Sequence, residues 1–305
     1  MAAQNRERPI REQVFAAISI LLEVEPRLRL VNARSNRHRR RGFVIIDLQL
    51  NQGSAQWPLL RDAGIAAEEA GFGTLWNLDH FSGAAFGSDS MMECFTSLTA
   101  WATTTTTIGL GTLVANVMNR EPGLLANIVS SIQQISGNRL TLGIGAGAAP
   151  NTNFSAEQDA LGISLLPKMA DRHNRLVEVV DTMRSIWAID RDERFAGFPR
   201  PVKQPPIIVG VNSMGLAVRS GQMADGVNTR FNHPERAALL AAAREASGNR
   251  PDFDSSVWSW FKPEYADADH PFHKELVAEG VTRLIMFERG APDVAAIVAT
   301  AKYLR

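Results

Sequence analysis

The sequence has little cysteine and little lysine, and its charges cancel. Among 305 residues there is one cysteine, Cys94, so the chain can form neither an internal disulfide nor a multi-cysteine metal cluster. Thirty-two basic side chains balance 32 acidic ones, which leaves no overall positive field to attract nucleic acid. The longest apolar run, residues 14–22 around Ser19, is shorter than the roughly 20 residues that span a bilayer. We therefore expect no nucleic-acid and no membrane partner, and a cytoplasmic location.

The positive charge is concentrated at the start of the chain. Residues 1–42 contain ten Arg, no Lys and four Glu, a net charge of +6, so the remaining residues carry −6. A basic start followed by an apolar stretch resembles a targeting segment, and a basic tail suits nucleic acid or a membrane surface, but acidic residues are mixed into both parts. We expect residues 1–42 to be a loosely attached, poorly ordered extension, and residues 43–305 to form the folded domain.

Short apolar runs recur at nearly constant spacing after this extension. The first four begin at residues 43, 74, 107 and 139, and four more strand-like runs follow at 206–211, 225–230, 256–261 and 282–288. Strand–helix units of about 30 residues are typical of a parallel sheet. Eight units in about 263 residues match a closed (β/α)8 barrel, with an open doubly wound sheet as the alternative.

The segments between these runs predict helices and two insertions. One helical segment has a predicted apolar face formed by Leu124, Leu125, Ile128, Ile132 and Ile135. Residues 146–167 and 190–205 are longer than a connection requires. They predict insertions after the fourth strand and around the fifth.

In a (β/α)8 barrel the chemistry lies at the carboxyl ends of the strands. Here these ends carry amides, glycines and aromatic side chains but few carboxylates, which suits a flat heterocycle better than a metal ion. His80 is the only histidine at a strand end. It could act as a general acid or base, or be a structural histidine paired with Asp79. No further ligands accompany this pair, so we expect no metal site.

Three glycines, Gly143, Gly145 and Gly147, end the fourth strand. They resemble a dinucleotide-binding loop, but such a loop follows the first strand and is paired with a later acidic residue that this chain lacks. Close approach of the backbone to a planar ligand explains the glycines better, and tight packing is the alternative.

Two further features mark strand ends. Asn212 and Ser213 open a helix after the fifth strand, where free backbone N–H groups favour a phosphate, although an ordinary helix cap has the same sequence. Trp258 and Trp260 alternate on the seventh strand, so they face one side and could wall a pocket.

Four segments occur in this order along the chain: TLWNLDHF, TIGLGTLVANVMNREPGLLA, SGNRLTLGIGAG, and PPIIVGVNSMG followed by ADGVN. Together they resemble the luciferase-like monooxygenase family of flavin- and deazaflavin-dependent oxidoreductases. The resemblance covers residues 43 to about 230, is loose beyond them, and has no counterpart for residues 1–42. It implies a (β/α)8 barrel that binds FMN or the deazaflavin coenzyme F420 at the carboxyl ends of the strands.

The resemblance also implies roles for individual residues. Asp79 and His80 match the catalytic pair beside the isoalloxazine ring. Leu113 and Val114 match a bulge of the third strand behind the ring, which in this family often contains a non-proline cis peptide. The other matched positions fall into three groups. Ala115 and Asn116 end the third strand. Gly145, Ala146, Gly147 and Asn151 match the loop after the fourth strand, at the edge of the ring, and Val211, Asn212, Ser213 and Met214 match the loop and helix start that hold the cofactor phosphate.

The family contains two chemistries. With reduced FMN, oxygen would be used to oxygenate a substrate, and a separate reductase would supply the reduced flavin. With F420, hydride would move between the ring and an organic substrate, and His80 would protonate or polarise that substrate. We favour F420, because GTLVANVMNREP is more similar to that branch. Ala148 stands where the deazaflavin-dependent sugar-phosphate dehydrogenases carry Glu, which argues against that activity.

Other classes of function stay open. The barrel could bind flavin without catalysis, or be a phosphosugar isomerase or an aldolase, although an aldolase needs a lysine at a strand end and only Lys262 lies near one. The partners we expect are a small-molecule substrate, a flavin or F420 reductase, and a second copy of the chain, since the resemblance implies that dimers are common.

Overall fold

The computed structural model describes residues 44–304, and in this range the sheet closes on itself. Its eight strands are all parallel and hydrogen-bonded in chain order, and β1 pairs with β8 to complete the barrel. The strands are β1 Ile45–Leu50, β2 Thr74–Asn77, β3 Gly109–Asn116, β4 Leu140–Gly145, β5 Ile207–Gly210, β6 Gly226–Arg230, β7 Asp254–Trp260 and β8 Arg283–Glu288. The predicted (β/α)8 barrel is confirmed, and the open sheet is wrong. The prediction for residues 1–42 lies outside the described range.

Helices connect successive strands. They are α1 Trp57–Ala70, α2 Cys94–Thr104, α3 Pro122–Ile135, α4 Ala156–Ala160, α5 Met169–Trp187, α6 Met214–Met223, α7 Arg236–Ala246, α8 Pro271–Ala278 and α9 Val294–Thr300. Their ends follow local sequence rules. Helix α1 has Pro58 in its first turn and stops at Gly71, which adopts a left-handed φ of 100° that favours glycine. None of the helices in residues 44–304 is long and apolar enough to cross a bilayer.

Strand residues alternate between the helices and the barrel interior. On β1, Leu48 and Leu50 pack under the helices, whereas Asp47 and Gln49 point inward and are fully buried. Asp47 accepts hydrogen bonds from Trp76 Nε1 at 2.7 Å and from Arg283 Nη1 at 2.6 Å. These buried polar side chains are part of a packed barrel interior, as is typical of this fold, in which sites lie at the carboxyl ends of the strands.

The predicted insertions lie at opposite ends of the barrel. Residues 146–168 follow β4 at the carboxyl ends of the strands and contain the short helix α4. Residues 190–205 lead from α5 into β5, so they lie at the amino ends, and a 3₁₀ turn, Glu193–Phe195, falls within them. Only the first insertion can therefore take part in a site at the carboxyl ends.

The buried face of helix α3 is narrower than predicted. Leu125 and Ile132 are buried as expected, but Leu124 and Ile135 are more than half exposed. The helix turns a narrower stripe toward the barrel than the apolar pattern implied.

Candidate functional site

His80 lies just past the end of β2 and is paired with a carboxylate from the first insertion. Its Nδ1 atom is 2.8 Å from Glu157 Oε1, and the other oxygen of Glu157 accepts hydrogen bonds from the backbone N–H groups of Phe81 and Ser82. The His80 side chain keeps about one fifth of its surface exposed, whereas Glu157 is nearly covered. The pair joins the β2 loop to helix α4 and leaves Nε2 as the ring nitrogen available to a ligand.

Asp79 anchors the neighbouring loop. Both of its oxygens bind Arg120, at 2.8 and 2.9 Å, and Oδ2 also accepts the backbone N–H of Asn116 at 2.8 Å. Arg120 also binds Glu93 at 2.6 Å, and its guanidinium lies over the ring of Phe95. Asp79 was predicted to act beside His80, but its oxygens are engaged by these donors. These contacts tie the ends of β2 and β3 together, and a catalytic role for Asp79 stays a prediction.

The end of β3 carries the predicted bulge. The peptide bond between Leu113 and Val114 is cis, and the pairing of β3 with β4 shifts register there. The carbonyl of Leu113 accepts a 2.8 Å hydrogen bond from Gln49 Nε2, and Gln49 Oε1 accepts another, at 2.7 Å, from Trp258 Nε1. Gln49 thus fixes the bulge and one tryptophan of the seventh strand with a single buried amide.

Glycines make room for the bulge. A Cβ atom on Gly145 would lie 2.6 Å from Val114 Cγ2, and one on Gly210 would lie 3.3 Å from Val114 Cγ1. Gly147 has a left-handed φ of 77°, and its Cβ would meet the side chain of Asn116. The glycines at the end of β4 were predicted to allow close approach to a planar ligand. In the structure they first accommodate the side chains of β3, which then face the centre of the barrel end.

The start of helix α6 has the features of an anion site. Ser213 precedes the helix, its side chain makes no capping hydrogen bond, and its Oγ atom is buried without a partner among residues 44–304. A buried hydroxyl is usually hydrogen-bonded, and the first N–H groups of a helix favour negative charge. The residues present therefore fit the phosphate group that FMN and F420 both carry.

Aromatic rings line one side of the same barrel end. The centroids of Trp258 and Trp260 are 4.9 Å apart, and Phe287 lies 5.7 Å from Trp258. Phe86 connects this cluster to the acid–base pair, since its ring is 6.2 Å from Phe287 and 4.9 Å from the ring of His80. The predicted pairing of the two tryptophans on one face is confirmed, and they belong to a longer aromatic wall that ends at His80.

The remaining predicted positions differ in exposure. Leu113, Ala115, Gly145 and Val211 are buried; Val114, Asn116, Ala146, Gly147 and Ser213 are half-buried; Asn151, Asn212 and Met214 are exposed. No three His, Cys, Asp or Glu side chains of residues 44–304 are grouped so as to hold a metal ion.

Three residues of the site were not predicted from the sequence. Glu157 lies in the insertion, where no periodic pattern marks it. Gln49 stands in a strand that reads as apolar, although its alternation with leucines could have indicated an inward-facing amide. Arg120 is part of the segment GTLVANVMNREP, and its pairing with Asp79 depends on a loop that only the structure shows.

A family model described as luciferase-like monooxygenase matches residues 43–265. The chain belongs to this family. Among curated relatives, it is 27% identical over 219 residues to the 5,10-methylenetetrahydromethanopterin reductase of Methanolobus tindarius, covering 67% of this chain and 62% of the relative. It is 28% identical over 200 residues to the F420-dependent hydroxymycolic acid dehydrogenase of Mycobacterium tuberculosis, covering 61% and 53%. The chain thus spans between half and two thirds of the length of these relatives.

Solved structures of low identity share the fold. An F420-dependent secondary alcohol dehydrogenase in complex with an F420–acetone adduct superposes with a TM-score of 0.69 at 17% identity, covering 86% of this chain and 100% of that one. The monooxygenase RslO1 from Streptomyces bottropensis superposes with a TM-score of 0.64, also at 17% identity, covering 85% and 96%. Members of the fold family with different chemistries thus match the same barrel.

Proposed function

We propose that this protein is an F420-dependent oxidoreductase that transfers hydride between the deazaflavin and an organic substrate at the carboxyl ends of the barrel strands. The observation that carries the proposal is the His80–Glu157 pair, which places an acid–base group just past the end of β2 and at the end of an aromatic wall. General acid–base groups within reach of a substrate contribute about 10²- to 10⁴-fold to a rate.

The cofactor would be held by three parts of the site. Val114 and its neighbours on β3 would support the ring, the loop after β4 would border its edge, and Ser213 with the first N–H groups of α6 would bind phosphate. When bound, F420 supplies a two-electron hydride acceptor or donor that does not activate oxygen. The names of several curated relatives specify F420, which supports this cofactor over FMN.

The lining of the site supports a substrate of low polarity. The wall that includes Trp258, Trp260 and Phe287 offers contact area to an apolar or aromatic group, and burying such a group against aromatic rings is favourable. Ala148, where the sugar-phosphate dehydrogenases carry Glu, argues further against a sugar phosphate. Alcohols and ketones with an apolar body are the class we propose.

A monooxygenase that uses reduced FMN is the second candidate, and the match to a solved monooxygenase favours it. A barrel that binds flavin without catalysis is a third. A side-by-side titration of the purified protein with oxidised F420 and oxidised FMN separates the first two candidates, and turnover of the bound cofactor separates both from the third. We expect binding of F420 with clear preference over FMN. Binding of FMN alone would support the monooxygenase, and binding of neither would overturn the proposed function.

A further inference from the structure

We propose that Glu157 is a positioning residue that fixes the tautomer of His80, so that Nδ1 carries the proton and Nε2 presents its lone pair to the substrate. His80 is then the base in the oxidation of a hydroxyl group. The proton transfer in this inference rests on the proposed function. The tautomer of His80 is argued from contacts within the protein and does not depend on a bound cofactor.

The hydrogen bonds around Glu157 decide which partner donates. Oε2 accepts from the backbone N–H groups of Phe81 at 2.8 Å and Ser82 at 2.9 Å, and Oε1 accepts from Gln158 Nε2 at 3.2 Å. A backbone N–H can only donate, so two of these contacts fix Oε2 as an acceptor, and the amide of Gln158 donates to Oε1. The remaining contact, 2.8 Å from His80 Nδ1, is then satisfied by an Nδ1–H donor.

The same contacts keep Glu157 ionised. Burial favours the neutral acid, but the hydrogen bonds from His80 and from the backbone amides of Ser82 and Phe81, with the charge of His80 added when its ring is protonated, hold the pKa of Glu157 below its usual value. An ionised carboxylate has no proton to give to Nδ1, so the opposite arrangement, in which Glu157 donates, is disfavoured.

Neighbouring side chains hold the pair in place. Gln158 Nε2, next along helix α4, binds Asn119 Oδ1 at 3.0 Å, and Asn119 Nδ2 approaches Asp79 at 3.3 Å. The ring of Phe86 packs edge-on against His80, with 4.9 Å between centroids. Helix α4 is therefore attached to the loops after β2 and β3 at once, which fixes the direction of Nε2.

This arrangement assigns the direction of proton transfer. With a secondary alcohol bound, the O–H proton would pass to His80 Nε2, and oxidised F420 would supply the acceptor for the hydride released when the C–H bond breaks. The C=O bond of a ketone forms, His80 becomes the imidazolium, and Glu157 stabilises that positive charge through Nδ1–H. In the reverse reaction the imidazolium returns its proton to the carbonyl oxygen.

The test is the tautomer of His80, read from the ¹⁵N shifts of its ring by NMR on cofactor-free protein at a pH where the ring is neutral. In the wild type we expect a protonated Nδ1 and an unprotonated Nε2. In Glu157→Gln, the backbone N–H groups of Phe81 and Ser82 require the amide oxygen, so the NH₂ group turns to Nδ1 and the proton moves to Nε2. The 3.2 Å contact from Gln158 Nε2 is then lost, whereas the 3.0 Å hydrogen bond from that amide to Asn119 keeps Gln158 in place.

The matched control is Asp159→Asn, which removes an exposed carboxylate from the same helix. We expect it to keep the wild-type tautomer. With F420 and an alcohol, Glu157→Gln should lower kcat by about 10²- to 10⁴-fold, the usual contribution of a general base, with F420 affinity within about twofold of wild type. Glu157→Asp should keep the wild-type tautomer and recover part of the rate.

Two results would overturn the inference: a wild-type His80 protonated on Nε2, or a Glu157→Gln protein whose tautomer is unchanged. Failure of the protein to bind F420 would instead refute the proposed function and leave the tautomer result standing, because that measurement needs no cofactor.

Discussion

Removing Asp79 should destabilise the barrel by several kcal/mol, because it leaves Arg120 without its main partner. The side chain of Asp79 is 1% exposed and that of Arg120 is 9% exposed, and the two form a bidentate ion pair at 2.8 and 2.9 Å. Breaking a buried pair by deleting one partner costs about 3–5 kcal/mol. Asp79→Ala also removes the acceptor of the Asn116 amide, whereas Glu93 still binds Arg120 at 2.6 Å, so we expect a cost within that range rather than at its upper end.

The assay is reversible unfolding in urea together with thermal unfolding. For a domain of this size, 3–5 kcal/mol corresponds to a fall in Tm of roughly 6–20 °C. The control is Asp62→Ala, which removes an exposed pair with Arg61 and should cost less than about 1 kcal/mol. If Asp79→Ala unfolds within about 1 kcal/mol of the wild type, the anchoring role assigned to Asp79 is refuted.

Two further predictions concern the phosphate site and the response to acid. Ser213→Ala should leave the unfolding midpoint unchanged, because the Oγ atom of Ser213 has no partner among the described residues. The same change should weaken F420 binding about tenfold in a titration. A lower unfolding midpoint with unchanged F420 affinity would contradict the phosphate role. Burial opposes ionisation of Glu68, but the backbone amides of residues 106–108 hold the pKa of its carboxyl below the usual value. The stability it contributes is therefore present above the unfolded-state pKa and lost as pH falls through the lower folded-state pKa. Glu68→Gln should be less stable than wild type at neutral pH, with the difference shrinking in urea melts below about pH 4.3, whereas the exposed control Glu69→Gln should match wild type throughout.

The barrel was predictable because its signals are local and repeated. Each strand is a short apolar run, each helix has its own period, and the spacing of about 32 residues repeats before β5. The same pattern predicted where each strand ends. It therefore placed Asp79, His80 and the two tryptophans of β7 at the same end of the barrel. Leu124 and Ile135 fit the period and yet are exposed, because the periodicity of apolar residues defines a helix better than it defines the width of its buried face.

The partners within the site were not predictable from spacing. His80 and Glu157 are 77 residues apart, and Glu157 lies in a segment without period or motif. Arg120 follows β3 by four residues, but only the path of that loop turns it back onto Asp79. These contacts depend on loop geometry at the carboxyl ends of the strands, where sequence patterns carry the least information.

The central claim is that hydride moves between F420 and an organic substrate at the end of this barrel that bears His80. The most direct test is an anaerobic reaction of the protein with oxidised F420 and a secondary alcohol carrying deuterium on its carbinol carbon. We predict loss of the visible absorbance of oxidised F420, with one deuterium recovered in the reduced deazaflavin by NMR. No transfer to F420 from any of a panel of apolar alcohols, together with oxygen-dependent turnover of reduced FMN, would contradict the account.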